Sequence, residues 1–148
     1  MSTIKVDTYL TRGGASEIAI DKLKGVSSAS SISVVAEGGS TTTNLQQGLL
    51  KGWIRFDGTG TIAIDDSFNY AGITDNGTGD YTTTLSTAMG NVNYAPTAGA
   101  GDVDYGAKID LEHSATNTTT VMRLRTAGTN SGTGDTDLVA IQIAGDLA

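Results

Sequence analysis

The sequence predicts an all-β protein: an antiparallel β-sandwich or jelly-roll-like domain carrying an N-terminal β-hairpin arm. Three observations carry that expectation. From Gly52 onward, short runs of apolar, aromatic and Thr residues follow one another at close intervals, separated by Gly, Asn and Asp turn signals. The 148 residues include 23 Thr, 20 Gly and 12 Ser, and Thr suits a pleated, half-wet strand. Lys and Glu, common on surface helices, number only five and three, and long runs with a 3.6-residue period are scarce.

The elements follow in order along the chain. In residues 1–25, I-K-V-D-T-Y-L alternates, R-G-G-A-S breaks, and E-I-A-I-D-K-L alternates again, which reads as strand, Gly13-Gly14 turn, strand. An isolated hairpin is marginal in water, so this arm needs a larger partner or another chain to pack on. Residues 25–48 are rich in Ser, Thr and Gly around one short apolar strand, Ile32 to Ala36, and read as a connector. The expected division is therefore 1–50, hairpin arm and connector, and 51–148, β-sandwich domain.

Within the domain, eight strands are expected: G-W-I-R-F, T-I-A-I-D, S-F-N-Y-A-G-I, D-Y-T-T-T-L, V-N-Y-A, Y-G-A-K-I-D-L, T-T-V-M-R-L-R and L-V-A-I-Q-I. The expected core is Trp53, Phe56, Ile62, Ile64, Phe68, Ile73, Leu85, Met122, Leu124, Val139, Ile141 and Ile143. It is thin, because Val, Ile, Leu and Phe together number 31. In T-T-V-M-R-L-R-T, Met122 and Leu124 share one face while Val121, Arg123 and Arg125 share the other. The two arginines require carboxylates or a neighbouring chain across from them, since like charges side by side on a sheet repel.

Charge and motif content exclude several functions. A net charge of −7 repels phosphate backbones and the basic residues are scattered, which argues against nucleic-acid binding. No stretch approaches the roughly 20 apolar residues of a spanning helix, and M-S-T-I-K-V-D-T lacks the pattern of a secretory leader. The absence of Cys removes disulfides and thiolate metal sites. No Gly-Lys occurs, so there is no Walker loop, and G-T-G-T-I-A at 58–63 leads into a strand rather than a helix.

Three glycine loops edged by carboxylates remain: D-G-T-G at 57–60, D-N-G-T-G-D at 75–80 and S-G-T-G-D at 131–135. Asp75, Asn76 and Asp80 fall short of a calcium loop, which needs more alternating oxygen ligands and a distal glutamate. Asn-Gly and Asp-Gly tolerate the positive φ of tight turns, so all three loops read as hairpin corners. His113 beside Glu112 and Asp110 is a weak acid–base set, because adjacent strand residues point to opposite faces. Asp65-Asp66 reads as turn chemistry rather than as converging glycosidase acids. No catalytic residue, metal ligand or cofactor site is expected, and the chain does not read as an enzyme.

The run from Lys51 to Pro96 holds K-G-W-I-R-F-D-G-T-G, S-F-N-Y, I-T-D-N-G-T-G-D-Y-T and A-M-G-N-V-N-Y-A. It resembles a β-rich module of tail-fibre and virion structural proteins in marine and cyanobacterial bacteriophages. Trp53, Phe56, Gly58, Gly60, Ser67, Phe68, Asn69, Ile73, Asp75 to Tyr81, Met89 and Asn93 to Ala95 carry the likeness. Tyr70 stands where that module more often has an apolar residue. The opening S-T-I-K-V-D-T is similar to the first strand of many such proteins.

The resemblance implies a place in the virion, no catalytic residues and a short tail fibre or spike closing as a homotrimer. Its implied partners are sister chains, phage head or tail proteins, and a host cell-surface glycan or protein. A capsid decoration protein, cementing shell subunits or standing as a head fibre, is the alternative. A free carbohydrate-binding sandwich is the further one, with an exposed tyrosine such as Tyr81 or the Trp53 ring as its platform.

Overall fold

The computed structural model describes residues 22, 23, 32–36, 38–101, 108–111, 117–127 and 132–148. The expected N-terminal hairpin lies outside the described residues. Strand β1 (Ser33–Val35) pairs antiparallel with β2 (Thr42–Asn44), which leads into the single-turn helix α1 (Leu45–Gly48). Asn44 caps that turn, its side-chain oxygen accepting from Gln47 N at 3.1 Å. The expected connector is therefore partly structured.

The rest is an antiparallel β-sandwich, as the strand spacing predicts. One sheet has the order β4-β3-β10-β7, built from β3 (Leu50–Asp57), β4 (Ala63–Phe68), β7 (Ala95–Gly101) and β10 (Leu138–Ala144). The other has the order β5-β6-β9-β8, from β5 (Tyr70–Gly77), β6 (Asp80–Leu85), β8 (Lys108–Leu111) and β9 (Val121–Ala127). The last strand, β10, sits between β3 and β7, so the first sheet is complete only when the C-terminal segment is in place. Pro96 lies on β7, an edge strand, where a missing N–H is tolerated.

The core comes from the facing sides of both sheets: Ile54, Phe56, Val139, Ile141 and Ile143 from one, Tyr70, Tyr81, Leu85, Met122 and Leu124 from the other, with Met89 between strands. Ile62, Ile73, Tyr94 and Ala98 pack against it. Phe56 and Tyr81 join the sheets edge to face, their ring centres 5.2 Å apart.

Three expected core residues lie outside the core. On β3 the two-residue period puts Gly52, Ile54 and Phe56 inward, and Trp53, Arg55 and Asp57 therefore point out. Trp53 and Phe56, three apart on one strand, cannot both be core. Phe68 is Trp53's cross-strand partner and shares its outward face, 54% exposed. Ile64 sits opposite Phe56 on the edge strand, beyond a register shift at Arg55, and is 38% exposed.

Two expected strands are also redrawn. S-F-N-Y-A-G-I is not one strand, because Asn69 adopts φ 60 and turns the chain from β4 in one sheet to β5 in the other within a single residue. The Asn69 amide donates to Lys51 O (2.8 Å) and Thr87 O (3.3 Å), and its oxygen accepts from Thr87 N (2.8 Å). V-N-Y-A precedes the real strand, A-P-T-A-G-A-G, whose Pro and Gly residues hide it from a propensity reading.

The sandwich has two dissimilar ends. At one, β3 begins, the Asn69 corner turns and the C-terminal residues follow β10. Leu49, Leu50, Val92 and Leu147 are all exposed there. Helix α1 is fastened at this end: the Gln47 amide donates to Asp146, and Lys51 donates to the Gln46 carbonyl and, at 2.7 Å, to that of Leu49. At the other end lie the three Gly-Thr-Gly loops.

Candidate functional site: the three-loop junction and the two outer faces

The Gly-Thr-Gly loops, far apart in sequence, converge in space. Residues 57–60 open the β3–β4 hairpin and Thr78-Gly79 form the β5–β6 turn, both as expected. The third loop departs from expectation: β9 and β10 lie in different sheets, so residues 132–135 fall on a crossover, not a hairpin.

Backbone bonds tie the loops together. Gly58 N donates to Thr136 O (2.9 Å), Thr126 N to Gly79 O (2.8 Å) and Gly134 N to Thr126 O (3.1 Å). The Thr126 hydroxyl donates to Gly134 O at 2.6 Å. Asp135 accepts from Gly79 N (2.7 Å) and from the Tyr81 hydroxyl (2.9 Å), which also lies 3.2 Å from Gly58 O. Tyr81 thus reaches from the core to the first and third loops, and Asp135 links it to Gly79 of the second.

Glycine is required where these backbones meet. A methyl on Gly79 would lie 2.6 Å from Thr126 O and 2.7 Å from Gly134 N, at φ +65. One on Gly58 would lie 2.3 Å from the Tyr81 hydroxyl.

The carboxylates of the loops serve the turns. Asp75 accepts from Gly77 N (2.8 Å), and Asp57 accepts from the Thr59 N–H and hydroxyl, both at 2.7 Å. The Thr59 hydroxyl, then its N–H, holds the Asp57 carboxyl below its usual range. Among the described residues no group of three or more His, Cys, Asp or Glu is placed to hold a metal ion. Tyr81 is fully buried, so it is not the exposed platform expected of it; burial, then the Asp135 carboxylate, pushes its pKa up.

The outer face of the second sheet carries the arginines, and carboxylates do stand across from them. Arg123 grips Asp80 with two donors, Nε at 2.7 Å and an Nη that approaches the second oxygen, and Arg125 Nε lies 3.4 Å from Asp80. Asp110 is opposite Arg125 in register, and Asn76 donates to Asp80 (3.3 Å) and Thr82 (2.8 Å). The Arg123 hydrogen bonds bring the Asp80 carboxyl down to about 2. This face is a self-satisfied polar network.

The remaining candidates do not assemble. Asp65 pairs with Arg55 at 2.8 Å while Asp66 accepts from Ser67 N at 2.8 Å, so these acids do not converge. Glu112 and His113 lie outside the described residues. No helix among the described residues is long and apolar enough to cross a membrane.

The outer face of the first sheet is different. Phe68, Trp53, Gln142 and Thr97 stand directly opposite one another on β4, β3, β10 and β7, forming one row across all four strands. The sequence offered Trp53 as a sugar platform only in its last alternative and otherwise placed both rings in the core, so the row with Phe68 was missed; strict alternation from Ile54 and Phe56 was the signal that could have found it. The chain matches no family model, no curated protein and no solved structure.

Proposed function

We propose that this chain is a bacteriophage virion structural protein, a short fibre or spike whose sandwich is displayed and whose N-terminal segment provides attachment and trimerisation. The observation that carries the reading is the polarity of the sandwich. The chain enters and leaves at one end, where Leu49, Leu50, Val92 and Leu147 are exposed, and the opposite end is closed by three interlocked loops. An apolar base suits a contact with sister chains or with the particle, and a rigid tip suits display.

The resemblance over residues 51–96 supports the same reading. Its residues are the ones that make the corners: Gly58, Asn69, Gly79 and Tyr81. Mass measurement in solution together with electron microscopy of the source particle tests it. The expected result is a trimer located on the virion, and a stable monomer absent from particles overturns it. Binding of the purified protein to capsid shells rather than to tails would replace the fibre role with that of a decoration protein.

A further inference from the structure

We propose that the outward row Phe68–Trp53–Gln142–Thr97 is a binding site for a neutral oligosaccharide. The four residues are register partners on adjacent strands, so their side chains leave the same face, spaced by about 4.8 Å per strand and spanning about 14 Å. Phe68 is 54% exposed, Trp53 is half-buried, and Gln142 and Thr97 are exposed. Two aromatic surfaces are thus followed in line by an amide and a hydroxyl.

That order of groups suits a sugar chain. The C–H face of a pyranose covers an aromatic ring, while its rim of hydroxyls needs both donors and acceptors, which Gln and Thr side chains provide. The neighbouring row supplies space: Ala140 and Gly99 stand two residues from Gln142 and Thr97 on the same face, and nothing lies within 4 Å of where a Gly99 side chain would begin. A ledge of low relief therefore runs beside the polar half of the row. Beside the aromatic half, Arg55 is neutralised by Asp65 at 2.8 Å, the two side chains being 53% and 37% exposed.

Other occupants fit less well. A fully covered aromatic side chain contributes about 150–250 Å², and both rings here are already partly covered, leaving on the order of 200 Å² to gain. A stable protein contact buries about 800 Å² per partner, about four times what these two rings offer, so a second copy of this chain would have to draw on the rest of the sheet face, and sedimentation tests for it. The row itself holds no cation, and Arg55 beside it is already paired, which with a net charge of −7 disfavours acidic glycans.

The site does not depend on where the protein is displayed, so this proposal and the virion reading stand or fall separately. The test is titration of the full chain with neutral hexose and N-acetylhexosamine oligosaccharides, read by the fluorescence of Trp53 and by calorimetry, with sialylated and sulfated oligosaccharides in parallel. The expected result is saturable binding of a neutral oligosaccharide, weakened about tenfold or more by Trp53→Ala or Phe68→Ala. Gln142→Ala should weaken it several-fold, and Leu147→Ala, at the exposed base, should leave it unchanged. Circular dichroism of Phe68→Ala, which removes a mostly exposed ring, establishes that the fold is intact. Three outcomes overturn the proposal: no neutral oligosaccharide binds at millimolar concentration, only acidic ones bind, or the variants bind as the parent does. Loss of self-association in Phe68→Ala, seen by sedimentation, also overturns it by making the face an interface between copies.

Discussion

Gly79 is the point at which the loop junction closes, and Gly79→Ala measures how much that junction contributes. At φ +65 an alanine takes on the left-handed backbone penalty, roughly 1–2 kcal/mol. Its methyl would also lie 2.6 Å from Thr126 O, 2.7 Å from Gly134 N and 2.8 Å from Gly134 O. All three are backbone atoms, so no side chain can rotate away, and the two loops must separate. Overpacking of that kind costs about 1–3 kcal/mol, giving a total of about 2–5 kcal/mol. Against a domain stability of about 5–15 kcal/mol that is a large share.

Gly60→Ala is the control, because Gly60 has φ +61 but nothing within 4 Å of the added methyl. It shares the backbone penalty, and it shares the reduced freedom of the unfolded chain that every Gly→Ala change brings. The difference between the two variants, about 1–3 kcal/mol, is then the packing of the third loop against the second. Urea unfolding followed by the fluorescence of Trp53, the only tryptophan, reads it as a midpoint shift at constant slope. In a chain of this size each kcal/mol moves Tm by about 3 °C, so Gly79→Ala should melt at least about 3 °C below Gly60→Ala. Midpoints that agree within about 0.5 kcal/mol would refute the interlocked junction.

Three further outcomes are expected. The Asp80 carboxyl, held at about 2 against 3.8, stabilises the fold fully above about pH 4, and that contribution is lost as pH falls through 2. The difference is worth about 2 kcal/mol before solvent screening and about 1 kcal/mol after it, so Asp80→Asn should lower stability by about 1 kcal/mol at pH 7 and flatten the acid limb of the stability profile. Asn69→Ala should cost about 2–4 kcal/mol in urea unfolding, from three lost hydrogen bonds and a strained φ, while Asn69→Gly keeps the backbone and should cost about 1 kcal/mol less. Tyr70→Phe should be neutral or stabilising by up to about 1 kcal/mol, because its buried hydroxyl has no hydrogen-bond partner among the described residues and the Thr83 hydroxyl is turned to Met122 O at 3.2 Å. A loss of more than about 1 kcal/mol in calorimetry would show that this hydroxyl is satisfied.

The fold class was legible because it rests on local signals. D-Y-T-T-T-L and L-V-A-I-Q-I are short runs rich in β-branched and apolar residues that follow turn signals, and β6 and β10 fall on them. Which strands share a sheet was not legible, since β10 pairs with β3 across more than eighty residues and no local pattern encodes that choice. For the same reason the Gly-Thr-Gly loops could be read as turns but not as neighbours. The Asn69 corner was hidden because Ser-Phe-Asn-Tyr is apolar enough to pass for strand, and only the positive φ separates its two halves. The arginine face was partly legible: the need for an opposing carboxylate follows from Arg123 and Arg125 alone, while the identity of Asp80 follows from the pairing of β6 with β9.

The aromatic residues show most clearly where hydrophobicity fails as a guide. Trp53 and Phe68, among the most apolar side chains present, face outward, while Tyr70 and Tyr81 fill the core. For Tyr81 the inversion has a cause in the junction, since a phenylalanine there would keep the edge contact with Phe56 and leave Asp135 and the Gly58 carbonyl without the hydroxyl. For Trp53 the cause is phase: Ile54 and Phe56 claim the inner face of β3, and the residue between Gly52 and Ile54 has nowhere to point but out. Phase explains the direction of Trp53 but not the presence of two rings, because a solvated sheet face is satisfied by Thr, Ser or Lys, as the Thr82 and Thr84 positions of β6 illustrate. Two rings in register, continued by Gln142 and Thr97, are a surface with more apolar area than solvation calls for. A short sugar chain matches that row in length and in its sequence of apolar and polar groups.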